Sequence, residues 1–274
     1  MRIGSALVGE NERLVVERDG ALRVASEPGV TLVDVMHDPE LVDSEAAGEA
    51  IEPAALVAPL RPGKVVAIGL NYRDHVRETG MELPERPLVF AKFPSSVVGP
   101  GAPIEIDPAL SARVDWEVEL AVVIGRRSRH TSSDHALAAV YGYTVGNDVS
   151  ARDVQFADGQ WTRGKSFDSF CPLGPLVVTA DEIPDPQALS LETTVNGERM
   201  QDSTTAEMVF GVAELVEFCS AAFTLEPGDV ILTGTPWGCG EFMDPPRSLK
   251  AGDEVVVSVG GVGSLANPVV EAGR

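Results

Sequence analysis

Two glutamates and an aspartate carry most of the chemical information in this sequence. In Asp115-Trp-Glu117-Val-Glu119-Leu-Ala-Val-Val-Ile-Gly125, Glu117 and Glu119 stand two apart in a segment that reads as a strand. Strand residues i and i+2 point to one face, about 6.6 Å apart along it. The apolar continuation would bury both, and two buried carboxylates repel each other and lose hydration unless a cation compensates. On a solvent-facing edge strand the same pair would simply be hydrated. Tyr141-Gly-Tyr-Thr-Val-Gly-Asn147-Asp148 is a second strand pattern, ending in a third oxygen ligand, Asp148. Three carboxylates with no His or Cys at ligand spacing fit a hard octahedral ion, Mg²⁺ or Mn²⁺, rather than zinc. Structurally bound calcium would use the same oxygens, although no EF-hand spacing is present.

Two further groups could act on a substrate. His75 and Glu78, in Asn71-Tyr72-Arg-Asp-His75-Val-Arg-Glu78-Thr-Gly80, are one helical turn apart. A carboxylate beside an imidazole raises its basicity and fixes its tautomer, as a general base requires, and a surface His–Glu pair would look the same in sequence. After Asp148, Ser150 is placed to cap a short helix on which Arg152 and Gln155 share a face. Met81-Glu-Leu-Pro-Glu-Arg-Pro87 reads as a loop that could form a lid.

The elements that must position these groups are mostly strands. Gly 27 and Pro 20 favour short strands and tight turns. Strands are expected over about 64–69, 88–92, 116–124, 141–147, 174–179, 191–195, 229–233 and 254–259, with turns at 226–229 and 250–253. One helix is expected from Ala206 to about Ala222, where Met208, Val212, Leu215, Cys219 and Ala222 line one face, capped by Thr204 or Thr205. The first sixty residues read as a small β-rich unit with a hairpin at Asp19-Gly20, and the acidic stretch from Asp38 to about Ala55 as a helix or linker. A boundary near residue 60 divides the chain into a small N-terminal α+β domain, 1–60, and a larger catalytic unit, 61–274. The order of elements is not alternating, which argues against a doubly wound nucleotide fold.

Two motifs fail on context. Gly159-Gln-Trp-Thr-Arg-Gly-Lys165-Ser166 matches a P-loop by letter, but two prolines and a glycine follow within nine residues and forbid the required helix. Gly261-Val-Gly263-Ser-Leu-Ala266 lies too near the C-terminus for a dinucleotide-binding βαβ unit.

Composition bounds the rest. Lys+Arg 21 against Asp+Glu 42 gives a net charge of −21, which would repel nucleic acid and an anionic membrane surface. Hydrophobic residues at 44% supply a sizeable core, while no run of about 18 apolar residues exists to span a bilayer. Residues 1–10 lack the build of a signal peptide, so the expected location is cytoplasmic. Cys171, Cys219 and Cys239 are odd in number, widely spaced and without a CxxC, so neither a disulfide framework nor a zinc site is expected.

Taken in order, these segments resemble the fumarylacetoacetate hydrolase family from about Lys64 to Val270. The resemblance rests on Gly69-Leu-Asn-Tyr-Arg-Asp-His75, Asp115-Trp-Glu-Val-Glu-Leu120, Gly146-Asn-Asp-Val-Ser-Ala-Arg-Asp153, Gln160 to Pro175, Thr233-Gly-Thr-Pro236 and Asn267-Pro268. It implies a strand-dominated α+β fold, a mixed β-sandwich roll behind the N-terminal β-rich domain, in a homodimer. It also implies that Glu117, Glu119 and Asp148 hold Mg²⁺ or Mn²⁺ and that His75 and Glu78 form a water-activating dyad on a mobile lid. Lys165 is then catalytic, and Arg152, Gln155, Thr233 and Tyr72 contact a small anionic 2-oxo acid. Three carboxylates, a dication, Arg152 and Lys165 together leave one positive charge to receive it.

The resemblance implies metal-dependent hydrolysis of an acylpyruvate, in which His75 deprotonates water, Lys165 stabilises the oxyanion and pyruvate enolate leaves. Decarboxylation of oxaloacetate or isomerisation of a 2-oxo diacid would use the same site, and a silent binding protein could retain the fold. The family's usual small residue and Gly-Val-Gly after Pro236 are replaced by Trp237-Gly-Cys239-Gly, and Ala266 stands where a basic residue is common. Trp237 could narrow the acyl side of the pocket or pack on the lid. Cys239 reads as a packing residue, because no histidine is near it in sequence.

Overall fold

The computed structural model describes residues 1–43, 48–52 and 55–273. The strand Val118–Ile124 lies inside the main sheet, antiparallel to Val140–Asn147 on one side and to Val230–Leu232 on the other. All seven of its residues are buried, which rules out the solvent-facing edge. The alternation of a strand decides what each face meets. Val118, Leu120, Val122 and Ile124 pack in one core, while Ala121 and Val123 pack in another.

Beyond Val230–Leu232 the main sheet continues through Val65–Gly69, in parallel, to Leu88–Lys92. Beyond Val140–Asn147 it continues through Cys171–Thr179 to Arg2–Val8, Asn11–Arg18, Ala21–Val24 and Ala50–Ile51. A second sheet runs Glu198–Thr204, Ser190–Val195, Glu254–Val259, Gly263–Glu271 and Ile104–Ile106. Leu191, Val195, Val255, Val257 and Leu265 from that sheet share the first core with Val118 and Leu120. The result is the expected strand-dominated α+β architecture with mixed sheets.

The first sixty residues are tied to the remainder through Arg2–Val8, which pairs with Cys171–Thr179 (Arg2 opposite Val178). Ile3, Leu14, Val16 and Leu32 share the second core with Val65, Ala67, Val123 and Leu232. The hairpin at Asp19-Gly20 forms as expected, both residues having positive φ. Within the acidic stretch, Pro39–Leu41 is a single 3₁₀ turn and Ala50–Ile51 a short strand, while 44–47 and 53–54 lie outside the described residues.

Several local expectations are corrected. The helix expected from Ala206 begins at Val212, because Gly211 takes the cap position: the Glu214 carboxylate accepts its N–H and Gln187 Oε1 accepts that of Val212. Thr204 instead caps the 3₁₀ turn Thr205–Glu207. Ser150 caps no helix. Ser150–Ala151 pairs with Val114–Asp115, and the Ser150 hydroxyl donates to the Asp148 carbonyl. Strands Arg2–Val8, Ile104–Ile106 and Glu198–Thr204 were not expected from the sequence.

Candidate active site

The acidic trio is assembled by strand register. Val118 lies opposite Asn147, so the residues just before and just after these positions, Glu117 and Asp148, become neighbours. The Asp148 N–H donates to the Glu117 carbonyl at 2.9 Å, and the Glu117 N–H donates to Asn147 Oδ1 at 3.0 Å. Carboxylate oxygens of Glu117, Glu119 and Asp148, all buried, lie within 4.8 Å of one another.

Cations surround two of the three. Lys165 Nζ donates to Glu117 Oε2 at 2.7 Å and to Asp148 Oδ2 at 2.8 Å. Lys92 Nζ meets Asp148 Oδ1 at 2.5 Å and also donates to the backbone carbonyl of Lys165. Arg152 bridges Glu117 Oε1 at 2.7 Å and Asp115 Oδ2 at 2.8 Å. Burial alone would raise the Glu117 carboxyl, but Lys165 and Arg152 outweigh it and bring it down to about 2. Burial opposes the charge on Lys165 as well, and the facing Asp148 and Glu117 overcome it.

Glu119 differs. Burial, then the charges of Asp148 and Glu117, push its carboxyl well above the usual range. Its Oε2 accepts the Gly234 N–H at 2.6 Å, and among the described residues no lysine or arginine pairs with it. Gly234 is required there: its φ is +96°, and a Cβ would stand 2.9 Å from Asn71 Cβ.

A cleft opens onto this cluster, holding about 500 Å³ of empty space with its mouth included. His75, Glu117, Arg152, Gln155 and Lys165 line it, with Phe90, Trp161 and Phe242 as apolar walls. His75 and Glu78 lie on the helix Arg73–Thr79, which Gly80 ends in the left-handed region. His75 Nδ1 is 2.9 Å from Glu78 Oε2, and Glu78 Oε1 accepts the Gly238 N–H at 2.8 Å. Arg152 donates to Gln155 Oε1 at 3.1 Å across the expected helical face. Met81, at the start of the expected lid loop, stands at the mouth and is exposed.

Not every expected residue faces this space. Thr233 donates its hydroxyl to the Leu120 carbonyl and lies behind the wall, where Thr235 takes the lining position. Tyr72 is fully buried beside Thr233, its hydroxyl without a hydrogen bond of good geometry. Trp237 does not line the cleft: its Nε1 donates to the Asp202 carbonyl and its ring is partly exposed. Asp115 and Lys92 were missed by sequence reasoning, as were Thr235 and Phe242.

A family model for the C-terminal domain of fumarylacetoacetate hydrolase matches residues 64–270. The chain belongs to the fumarylacetoacetate hydrolase family. A mitochondrial oxaloacetate tautomerase of Rattus norvegicus is 50% identical over 211 residues, 77% of this chain and 67% of the relative. Its Homo sapiens counterpart is 49% identical over 212 residues, again 77% and 67% of the two chains. Among solved structures, a fumarylacetoacetate hydrolase of Exiguobacterium antarcticum is 38% identical with a TM-score of 0.89, covering 99% of this chain and 100% of that one. A 2-hydroxyhepta-2,4-diene-1,7-dioate isomerase of Mycobacterium marinum is 36% identical with a TM-score of 0.81, covering 100% of both chains.

Membership in the fumarylacetoacetate hydrolase family accounts for the P-loop letters. Lys165 begins no helix and is occupied by Glu117 and Asp148. No helix among the described residues is long and apolar enough to cross a membrane. The acidic trio suits a hard divalent ion by donor type, since it offers only carboxylate oxygens and includes a buried carboxyl, Glu119, with no cationic partner among the described residues. Asp115 and Lys92 enter the cluster with opposite charges. The charge count reached from sequence is therefore unchanged by their inclusion.

Proposed function

We propose that this protein moves a proton between the carbon next to the keto group and the enol oxygen of a small 2-oxo diacid, with oxaloacetate as the model substrate. The observation that carries this reading is His75, buried, tethered by Glu78, and lining one cleft with Lys165, Arg152 and Gln155. Among the described lining residues there is no serine or cysteine to act as a nucleophile. Relatives 49–51% identical to this chain that carry the name oxaloacetate tautomerase support the same chemistry.

The residues divide the work by chemical type. With Glu78 Oε2 accepting the proton of His75 Nδ1, Nε2 is left as the nitrogen that takes a C–H proton. Lys165 and Arg152 offer positive charge to the carboxylates of a diacid. Gln155 spends Oε1 on Arg152, so its amide N–H groups remain as donors. Phe242 packs edge-on against the imidazole, and Phe90 and Trp161 form a second apolar wall of the cleft, which restricts water in it. A Mg²⁺ or Mn²⁺ ion held by Glu117, Glu119 and Asp148 would supply electrophilic stabilisation of negative charge developing on the oxo oxygen.

Hydrolysis of an acylpyruvate is the second reading, favoured by the dyad, because the same nitrogen could deprotonate a water. One assay separates the readings: the protein and Mg²⁺ are given oxaloacetate and acetylpyruvate, and enol absorbance, pyruvate and CO₂ are followed. Faster decay of the oxaloacetate enol without pyruvate supports proton transfer. Pyruvate from acetylpyruvate establishes the hydrolase instead, and CO₂ from oxaloacetate the decarboxylase. No acceleration of any of these would overturn catalysis on 2-oxo acids.

A further inference from the structure

A second set of ligating atoms lies beside the acidic trio. One ring nitrogen of His75, one carboxylate oxygen of Glu78 and the Cys239 sulfur lie within 4.8 Å of one another. The histidine and glutamate come from the helix Arg73–Thr79, and Cys239 comes from the segment after the strand Val230–Leu232. The Gly238 N–H on Glu78 fastens the two together next to the thiol. Cysteine and histidine, 164 positions apart, are thus neighbours in space, which removes the reason for reading Cys239 as packing alone. The thiol is fully buried, and its recorded polar contacts, with Gln201 Nε2 and the Pro236 carbonyl, are both at 3.9 Å.

One nitrogen, one oxygen and one sulfur make a donor set unlike the oxygen-only trio. Zn²⁺ takes imidazole, carboxylate and thiolate together in tetrahedral geometry, with bonds of about 2.0–2.3 Å, and leaves a fourth position for water. Hard ions such as Mg²⁺ gain little from sulfur. Separations up to 4.8 Å close to tetrahedral edges by side-chain rotations of about an ångström. Burial first, then Asp115 and Glu117, raise the Cys239 thiol well above its usual range, with Glu78 adding to the effect and Arg152 opposing it. Those carboxylates disfavour a bare thiolate, yet they favour a dication that arrives and sends the thiol proton to solvent.

We propose that His75, Glu78 and Cys239 form a zinc site separate from the acidic trio, and that zinc there inhibits the enzyme by occupying the imidazole and carboxylate of the dyad. The binding half stands by itself. The inhibition half rests on the reading of His75 as the base.

The test uses the full chain with Mg²⁺ in large excess, so that the trio is held by the hard ion. Co²⁺ is titrated as the spectroscopic probe and then displaced by Zn²⁺, while zinc affinity is read by competition with a chromophoric chelator. One equivalent of Co²⁺ is expected to give a thiolate-to-metal charge-transfer band that Zn²⁺ abolishes and that is missing from Cys239→Val. Zinc affinity is expected to fall about 100-fold or more in that variant, and Cys239→Ser serves if the valine variant does not fold. No band in the unaltered protein would overturn the site. So would a band that survives Cys239→Val, which would point to Cys171, whose thiol feels the charges of Asp148 and Glu119. A band with turnover undiminished at zinc saturation would overturn the inhibition. A band in a protein that turns over no 2-oxo acid would support the zinc site while the proposed function fell.

Discussion

The ammonium of Lys92 lies 2.5 Å from Asp148 Oδ1, and neither side chain has any exposure to solvent. Lys92 sits at the end of the strand Leu88–Lys92 and also holds the carbonyl of Lys165, so one ammonium joins an acidic residue to the segment that carries its other cation. Removing one member of a buried pair leaves a charge uncompensated, at about 3–5 kcal/mol. Lys92→Met is therefore expected to lose about that much stability in urea denaturation. A loss under about 1 kcal/mol would mean that Asp148 is satisfied by Lys165 alone.

Glu119 leads to the opposite expectation. Its carboxyl is buried among like charges and has no cationic partner among the described residues, so Glu119→Gln is expected to leave the metal-free melting temperature unchanged or higher. The amide oxygen can still accept the Gly234 N–H. The same change should remove most of the stabilisation that Mn²⁺ gives the unaltered protein, since a ligand that binds only the folded state raises its stability. Thermal melts with and without Mn²⁺ check both halves. An unchanged Mn²⁺ shift would remove Glu119 from the ligand set.

The dyad is tested by splitting kinetic constants. His75→Ala is expected to lower kcat by about 10²–10⁴ on oxaloacetate, the proposed model substrate, which is the usual range for a general base. Glu78→Gln should lower it less and move KM little, because Glu78 reaches the cleft through His75. A Glu78→Gln variant with normal kcat and raised KM would instead make that residue a substrate contact.

Asp153 supplies a pH dependence away from the trio. It is partly buried, and burial would raise its carboxyl. The Ser111 hydroxyl and the N–H groups of Ala112 and Val154 outweigh this and hold it below the usual value. A carboxyl lowered in the folded state adds stability above its unfolded value of 3.8 and loses it as pH falls through the folded value. Asp153→Asn should thus destabilise more at pH 7 than at about pH 3, with the gap read from denaturation midpoints. Equal losses at the two pH values would contradict the ionic character of these hydrogen bonds.

What could be read from the sequence was local. Glu117 and Glu119 were found by the period of two, Arg152 with Gln155 and His75 with Glu78 by one helical turn, and Asp148 by its place after a strand. Lys92 was missed because a lysine at a strand end looks like a hydrated terminus. Asp115 was missed as a partner because its contacts, Arg152 and the Gly240 N–H, are 37 and 125 positions away. Thr233 came only from the family resemblance, and nothing in the sequence says that its hydroxyl is spent on the Leu120 carbonyl. The strand Gly263–Glu271 hides its alternation: Leu265 and Val269 point inward, but buried Asn267 and the adjacent proline break the apolar rhythm.

The pairing of Arg2–Val8 with Cys171–Thr179 bears on how the chain can be cut. A fragment reduced to the family-matched stretch would uncover the part of Cys171–Thr179 around Val177 and Val178 that Arg2–Val8 covers, while Val97–Val98 still pairs with Cys171 and Pro172. Naked β edges recruit other chains, so such a fragment should self-associate in light scattering where the intact chain stays dispersed. The opening residues act as a lid on adhesive backbone, whatever their part in chemistry.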